Sequence, residues 1–415
     1  MAGFLRPQST NHHMASNTIA SFAPGLNNRR PSDQLDTSLP DRTPATFLRD
    51  AVNCDISSKG AIRRRPGYAM STGGVVHSVW GDGKDQGYAV IDGVLSGVKA
   101  SYGAQPIVTP ITFVGHRRVS FSRGARGEVY WSNGTLSGRL VGEVNTPAST
   151  PAPTVPTVEV TGGALPAGRY LLAFTRMGAA GESASTAMTP VEVPVNAGLQ
   201  LTGCQPGTEV FMSGPNGGIL QHVGTAWGSS FTIALPPTDG RQCETLGLAP
   251  MPPGAIVRHA LGRLVVAAGN MLVFSEPYRY GLCNPAENYI PFSAPITVVA
   301  PTQNGLYVCA DQTYWLPSLP PADISTVLPF GALAHSDALL DAQSDSTQHC
   351  AWMSQRGLVV ATIDGTASLV QDQNLNFSGA ERGSVMLRHH LGDRSLVITR
   401  SGVQPGASKA RDAGT

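Results

Sequence analysis

Gly81-Asp-Gly-Lys84 is the stretch of this chain that comes nearest to a phosphate loop. A phosphate loop needs Ser or Thr after its Lys to reach a magnesium ion, and Asp85 stands there instead, with the preceding glycine spacing also wrong. The stretch therefore reads as a hairpin turn. Gly181-Glu-Ser-Ala-Ser185 lacks the closing Gly that allows a strained nucleophile elbow, so no nucleophile is assigned. Asp337, Asp341 and Asp345 recur every four residues. On a helix that spacing puts three carboxylates on one face, but without a ligand-rich loop and its central Gly it reads as a solvated face rather than a calcium site. His12-His13 and His389-His390 are adjacent pairs. Neighbours on a strand point to opposite faces, so neither pair can hold one metal ion. The six cysteines, at 54, 204, 243, 283, 309 and 350, form no CxxC pair and read as reduced thiols, with a Cys204–Cys243 bridge as the alternative. No cofactor and no catalytic or metal-binding residue is expected, and the chain reads as non-enzymatic.

The dense basic patches are Arg29-Arg30, Arg63-Arg64-Arg65 and Arg117-Arg118. Guanidinium groups pair bidentately with carboxylates, so Arg29, Arg30, Arg63, Arg64 and Arg65 are candidate subunit contacts, against the plainer reading as solvated or ion-paired strand ends. The whole chain carries 29 Lys and Arg against 28 Asp and Glu. A free nucleic-acid binder would show a basic surplus, because phosphate neutralisation supplies most of its affinity. No run of about 18 apolar residues is present, so no membrane-spanning helix is expected. The first residues lack the apolar segment of a signal peptide, so synthesis and retention in a cytosol are expected.

The elements that must position these residues are strands. The 415 residues include 47 Gly and 32 Pro, the profile of a turn-rich β protein with more than one domain. From Gly74 onward a unit recurs: an apolar strand, a Gly or polar turn, a second strand, a tight turn and a third strand. Six copies begin near Gly74, Ile111, Ala255, Ile296, Gln348 and Ser384, about 35 to 50 residues apart apart from one gap, which is the spacing of propeller blades. Dipeptides such as Asp92-Gly93 and Asp364-Gly365 supply the positive φ angles of two-residue hairpins. The gap, opened by the Pro/Thr linker Thr150–Pro156, holds seven alternating strands between Thr157 and Ala234, as in an immunoglobulin- or fibronectin-like sandwich. The expected organisation is an extended N-terminal arm over 1–70, propeller strands over 71–148, an inserted β-sandwich over 149–250, further propeller strands over 251–403 and a tail over 404–415. Ala332 to Asp341 is the one stretch with helix-like spacing.

Four stretches stand out: Pro24-Gly-Leu-Asn-Asn28, Leu48-Arg-Asp-Ala-Val-Asn-Cys-Asp-Ile56, Gly60-Ala-Ile-Arg-Arg-Arg-Pro-Gly-Tyr68, and Gly262-Arg-Leu-Val-Val-Ala267 followed by Phe274-Ser-Glu-Pro277. In these motifs the chain resembles the tail nozzle, or tubular tail hub, proteins of short-tailed bacteriophages. The resemblance implies a propeller-like subunit in the virion tail, assembled in the bacterial host cytoplasm as a homohexameric ring below the portal and adaptor. DNA would pass transiently through the ring, and tail fibre or tail tip proteins would attach to it. By motif the resemblance covers residues 20–70 and 250–320, and by architecture nearly the whole chain; many nozzle proteins are much longer, so their extra tip domains are not expected here. The alternative is a glycan- or receptor-binding propeller of the tail, resting on Trp80, Trp131, Trp315 and Trp352 near strand ends.

Overall fold

A computed structural model describes residues 21–402 except 58, 66–73, 83, 85, 100–102, 114–116, 239, 341–348, 371–372, 378 and 391–392. The described residues are almost wholly strand and turn, with a single three-residue 3-10 turn at Ser32–Gln34. They divide into two compact units.

The larger unit contains five four-stranded antiparallel meanders. Blade I is Val76–Gly81, Gly87–Ile91, Val94–Lys99 and Gly103–Pro106; blade II is Ser120–Arg123, Val129–Ser132, Ser137–Val141 and Val144–Thr146. Blade III is Ile256–Ala260, Arg263–Ala268, Met271–Phe274 and Tyr289–Pro291; blade IV is Val298–Pro301, Leu306–Cys309, Thr313–Leu316 and Ser325–Leu328. Blade V is Ala338–Leu339, Cys350–Ser354, Gly357–Ala361 and Ala367–Val370, and a two-stranded hairpin, Arg382–His390 with Asp393–Ser401, follows it.

What makes these meanders blades is where their side chains go. Successive residues of a strand point to opposite faces. On the second strand of blade III, Leu264 and Val266 join a core shared with Tyr130 of blade II, whereas Val265 and Ala267 join a core shared with Val299, Leu306 and Val308 of blade IV. Blade IV repeats the division: Leu306 and Val308 face blade III, while Tyr307 and Cys309 face Trp352 and Val359 of blade V. Blade II sends Val129 and Trp131 toward Val90 and Leu95 of blade I. Four separate apolar layers thus lie between successive sheets. Strands buried on both faces must be apolar at every position, which is why Leu264–Ala267 and Leu306–Cys309 read as continuous runs.

Turn chemistry follows the sequence. Asp92 and Gly93 both take positive φ (49° and 79°) in the hairpin between Ile91 and Val94, the geometry Asp-Gly favours. Two sequence readings need correction. Residues 332–340 form no helix: Ala338–Leu339 pairs with Cys350 and Ala351 as a short strand, and the Leu333 side chain is buried. The spacing of Leu333 and Leu339 reflects two separate chain segments. Ile111–Phe113 does not open blade II. Thr112 makes only an isolated bridge to Val94 of blade I, and Ser137–Val141 and Val144–Thr146 complete blade II instead.

Between blades II and III the chain leaves to form a sandwich. One sheet runs in the order Thr157–Leu165, Ala197–Thr202, Ser230–Ile233; the other has Gly168–Gly178 at its centre, flanked by Thr189–Val193 and Thr208–Ser213, with Leu220–Ala226 beyond. Tyr170, Leu172, Phe174, Leu199, Leu201, Val210 and Met212 fill the space between them. Despite the roughly 100 residues inserted here, blades II and III are held together by serine side chains. Ser132 Oγ accepts from Gly254 N (2.9 Å) and donates to Gly254 O (2.7 Å). Ser120 Oγ accepts from Val257 N (3.1 Å), and Ser122 Oγ accepts from His259 N (2.7 Å).

The smaller unit includes the described residues of 21–65, 373–377 and 388–395. Asp36–Ser38 pairs with Pro44–Thr46, and Cys54–Ile56 with Ile62–Arg64, so the segment read as an arm contains two short hairpins.

Ser132→Ala removes both partners of the buried Gly254 peptide groups, and an unsatisfied buried polar group costs about 1–3 kcal/mol. Urea unfolding of the variant is expected to show a lowered midpoint with unchanged slope. A midpoint equal to wild type would mean that the inter-blade serines do not hold the junction.

Candidate functional site

The five arginines singled out in the sequence all lie in the smaller unit, and all are exposed. They stand on two different local frames. Arg29 and Arg30 follow Asn27, whose side chain is fully buried. Asn27 Oδ1 accepts from the backbone N–H of Arg29 (3.1 Å) and of Arg30 (3.0 Å), and its Nδ2 donates to Asn374 Oδ1 (3.1 Å). Asn28 Nδ2 donates to Asn376 O (2.9 Å), and Asn376 N donates back to Asn28 Oδ1 (2.7 Å). Arg29 Nε then reaches Leu375 O (3.2 Å), and Arg30 lies over the Phe47 ring at 5.7 Å.

Arg63 and Arg64 sit on the strand paired with Cys54–Ile56, and Arg65 follows it. Arg65 Nε is 2.6 Å from Asp55 Oδ1, and Arg388 Nη1 is 3.6 Å from Asp55 Oδ2. Arg63 and Arg64 are exposed, and their side chains make no hydrogen bond or ion pair among the described residues. Gly60, with φ of 79°, is required by close approach: a Cβ there would fall 2.1 Å from Ser21 Oγ and 2.5 Å from Ala23 N.

The other residues weighed for chemistry have structural partners where they are described. Asp82 accepts from Lys84 N (2.9 Å) and Gln86 N (3.2 Å), and those backbone bonds, the Lys84 one first, draw its carboxyl below the usual range. Gly83 and Asp85 lie outside the described residues. Ser183 is buried, accepts from Arg176 N (3.0 Å) and donates to Ala184 O (2.8 Å), as a strand-end tether would. His12, His13, Asp341 and Asp345 lie outside the described residues, as do the side chains of His389 and His390. All six cysteines are unpaired. Cys204 belongs to the core between the sandwich sheets, and Cys243 packs with Phe211 and Leu220 in a separate cluster, so the alternative of a bridge between them is not what the structure contains. Burial pushes the Cys283 thiol up to about 11 and the Cys309 thiol up to about 12, which keeps both protonated and unreactive. Trp131, Trp315 and Trp352 are buried between blades and Trp80 is partly buried against blade II. The displayed tryptophan is one the sequence reading passed over: Trp227, 77% exposed between the sandwich strands Leu220–Ala226 and Ser230–Ile233.

Two charged assemblies were not anticipated. At the foot of the sandwich the Glu182 carboxylate is nearly buried, accepts from Thr175 Oγ1 (2.7 Å) and lies 3.1 Å from Arg241 Nη1 and 3.8 Å from Arg279 Nη1 of the blade III loop. Arg279 also pairs with Glu244, and Glu209 receives His222 at 2.5 Å and Arg241 at 3.5 Å. The second assembly gathers Arg118, Arg258, His335, Asp337 and Arg382. Arg258 donates from Nη2 (2.6 Å) and Nε (3.2 Å) to Asp337 Oδ2, and from Nη1 to Ser120 Oγ (2.9 Å) and Val257 O (2.8 Å). Burial, reinforced by Arg118 and then by Arg258 and Arg382 against the opposing pull of Asp337, lowers His335 to about 4. No group of three or more His, Cys, Asp and Glu suited to a metal ion occurs among the described residues.

No family model matches the chain, and no curated protein matches it significantly. Solved structures with a similar trace include BBS1N in complex with ARL6DN, at 11% identity over 80% of this chain and 90% of that one (TM-score 0.32). They also include AztD of Citrobacter koseri, at 12% identity over 70% and 85% (TM-score 0.26). A third is virginiamycin B lyase of Staphylococcus aureus, at 11% identity over 72% and 96% (TM-score 0.21). At such scores none carries an argument about activity, and the architecture rests on the sheets and cores described above.

His335 provides a pH test. Its folded pKa of about 4 lies below the ordinary 6.5, so the unfolded chain binds a proton that the folded chain refuses, and stability is expected to fall as pH drops from about 6.5 toward 4. His335 has φ of 59°, which Asn tolerates, so His335→Asn is expected to flatten that part of the stability–pH curve in thermal melts. An unchanged slope would show that His335 is not responsible.

Proposed function

We propose that the chain is a structural subunit of a bacteriophage tail, a nozzle or tubular hub in which six copies form a ring below the portal and adaptor and DNA leaves through the opening. The observation that carries this reading is the use made of the motifs that resemble that family. Pro24–Asn28, Leu48–Ile56 and Gly60–Arg65 share one small unit: Asn27 N donates to Leu48 O (2.8 Å), Phe22 N to Gly60 O (3.3 Å), and Asn27 and Asn28 close on Asn374 and Asn376. Residue types repeated for such a reason report a shared local fold rather than a shared reaction.

The surface of that unit supports assembly. Arg29, Arg30, Arg63 and Arg64 are exposed guanidinium groups on a locally fixed backbone, suited to carboxylates of a neighbouring copy in the head-to-tail contacts that build rings. The near balance of charge over the whole chain suits a conduit whose lining lets a phosphate backbone slide. The sandwich, with Trp227 displayed, offers a surface on which tail fibre or tail tip proteins could be held.

Mass photometry and negative-stain imaging of the purified chain are expected to show six-membered rings. Arg29→Glu combined with Arg63→Glu and Arg64→Glu is expected to leave monomers with an unchanged melting temperature, because the three side chains are exposed. A wild-type chain that stays monomeric at high concentration would sink the ring, and intact rings from the triple variant would remove the arginines from its interface.

A further inference from the structure

The second charged assembly sits where several blades meet. Arg118 precedes the first strand of blade II, Arg258 lies on the first strand of blade III, His335 and Asp337 lead into blade V, and Arg382 opens the hairpin that follows. Backbone contacts fix this convergence. Val257 is bound by Ser120, His335 N donates to Thr297 O (3.0 Å) beside blade IV, and Ala334 is bridged to Arg382. Arg118, Arg258 and Arg382 all act electrostatically on His335, with Asp337, 2.6 Å from Arg258 Nη2, as the opposing carboxylate.

The three cations are not equivalent. Arg258 spends its donors on Asp337, Ser120 and Val257. Arg118 and Arg382 are exposed as residues, and their side chains make no hydrogen bond or ion pair among the described residues, although partial burial lowers the Arg118 guanidinium below its ordinary range. With His335 neutral, three positive charges face one negative charge, leaving a surplus of two. Like charges held together by the fold repel one another, and such a cluster persists at least cost when an anion offsets it. A guanidinium fork with free donors matches the oxygens of a tetrahedral oxyanion.

We propose that Arg118, Arg258 and Arg382 form a binding site for a phosphate-class dianion, with Arg118 and Arg382 as the gripping donors and Asp337 holding Arg258 in place. The surplus of two charges matches a dianion, and the neutral imidazole of His335 is available as a further hydrogen-bond partner. The site stands independently of the ring described above, because none of its residues belongs to the exposed arginines of the smaller unit. A free phosphate ion and a terminal phosphate carried by a nucleic acid share the required chemistry.

Isothermal titration of the full chain with sodium phosphate at pH 7, with sodium chloride at matched ionic strength as reference, tests it. Phosphate is expected to bind and to raise the melting temperature above the chloride reference. Hydrogen bonds between charged partners contribute roughly 1.5–3 kcal/mol, so Arg118→Gln and Arg382→Gln are each expected to weaken binding about tenfold or more. Both residues are exposed, so the melting temperature of each variant without phosphate is expected to equal or exceed that of wild type. A 5′-phosphorylated oligonucleotide that displaces phosphate, while its unphosphorylated form does not, would support the site and identify nucleic-acid ends as a source. Phosphate binding without such displacement would support the site and identify the free ion. An equal response to phosphate and chloride, or full phosphate binding by a variant combining Arg118→Gln with Arg382→Gln, would overturn it.

Discussion

Burial on both faces of the central blade strands is the constraint on which the larger unit depends. A strand such as Arg263–Ala268 or Leu306–Cys309 cannot form a stable sheet alone, because its alternate residues belong to two different cores. Each blade therefore stabilises the next by lending it half of its side chains. Polar groups are pushed to strand ends and turns, or are tied down, as Ser132 and Ser120 are by the backbone of blade III. A serine hydroxyl that both donates and accepts is a compact way to join two sheets that exchange no ladder hydrogen bonds.

That constraint also explains what could be read in the sequence. Double burial makes continuous apolar runs, and the runs in blades III and IV were legible because Gly and polar turns punctuate them. Sandwich strands such as Thr189–Val193 were legible for the complementary reason: one face is solvated, so the period of two survives. The outer strands were not legible. Ser325–Leu328 and Val144–Thr146 are short and partly exposed, and their pairing is decided by the neighbouring strand rather than by their own composition. The helix-like spacing near Ala332 misled because a local pattern was read where a tertiary contact, Ala338–Leu339 on Cys350 and Ala351, decides the outcome.

Candidate sites divided in the same way. Asn27, Gly60 and Arg65 belong to motifs contiguous in sequence, and their local order could be noticed even though the buried role of Asn27 could not. The cluster of Arg118, Arg258, His335, Asp337 and Arg382 draws on residues separated by up to several blades. Arg118 stood out as part of a basic pair, but no spacing rule joins it to Arg258 or Asp337. Only the convergence of the blades does. Charge in this protein is thus organised by topology rather than by motif, which is why an almost neutral chain can carry a concentrated local field.

The bond between Asn27 and Asn374 spans 347 positions of the chain. During synthesis, the first hairpins leave the ribosome long before their partner segment exists, and closing so long a loop carries an entropic cost. The smaller unit cannot be completed before residues as far as 395 have been made, although its first residues are made early. A ribosome that stops within blade V releases a chain whose Asn27 has no Asn374 to meet, so the Asn27 and Asn28 bonds certify that translation has run at least to residue 376.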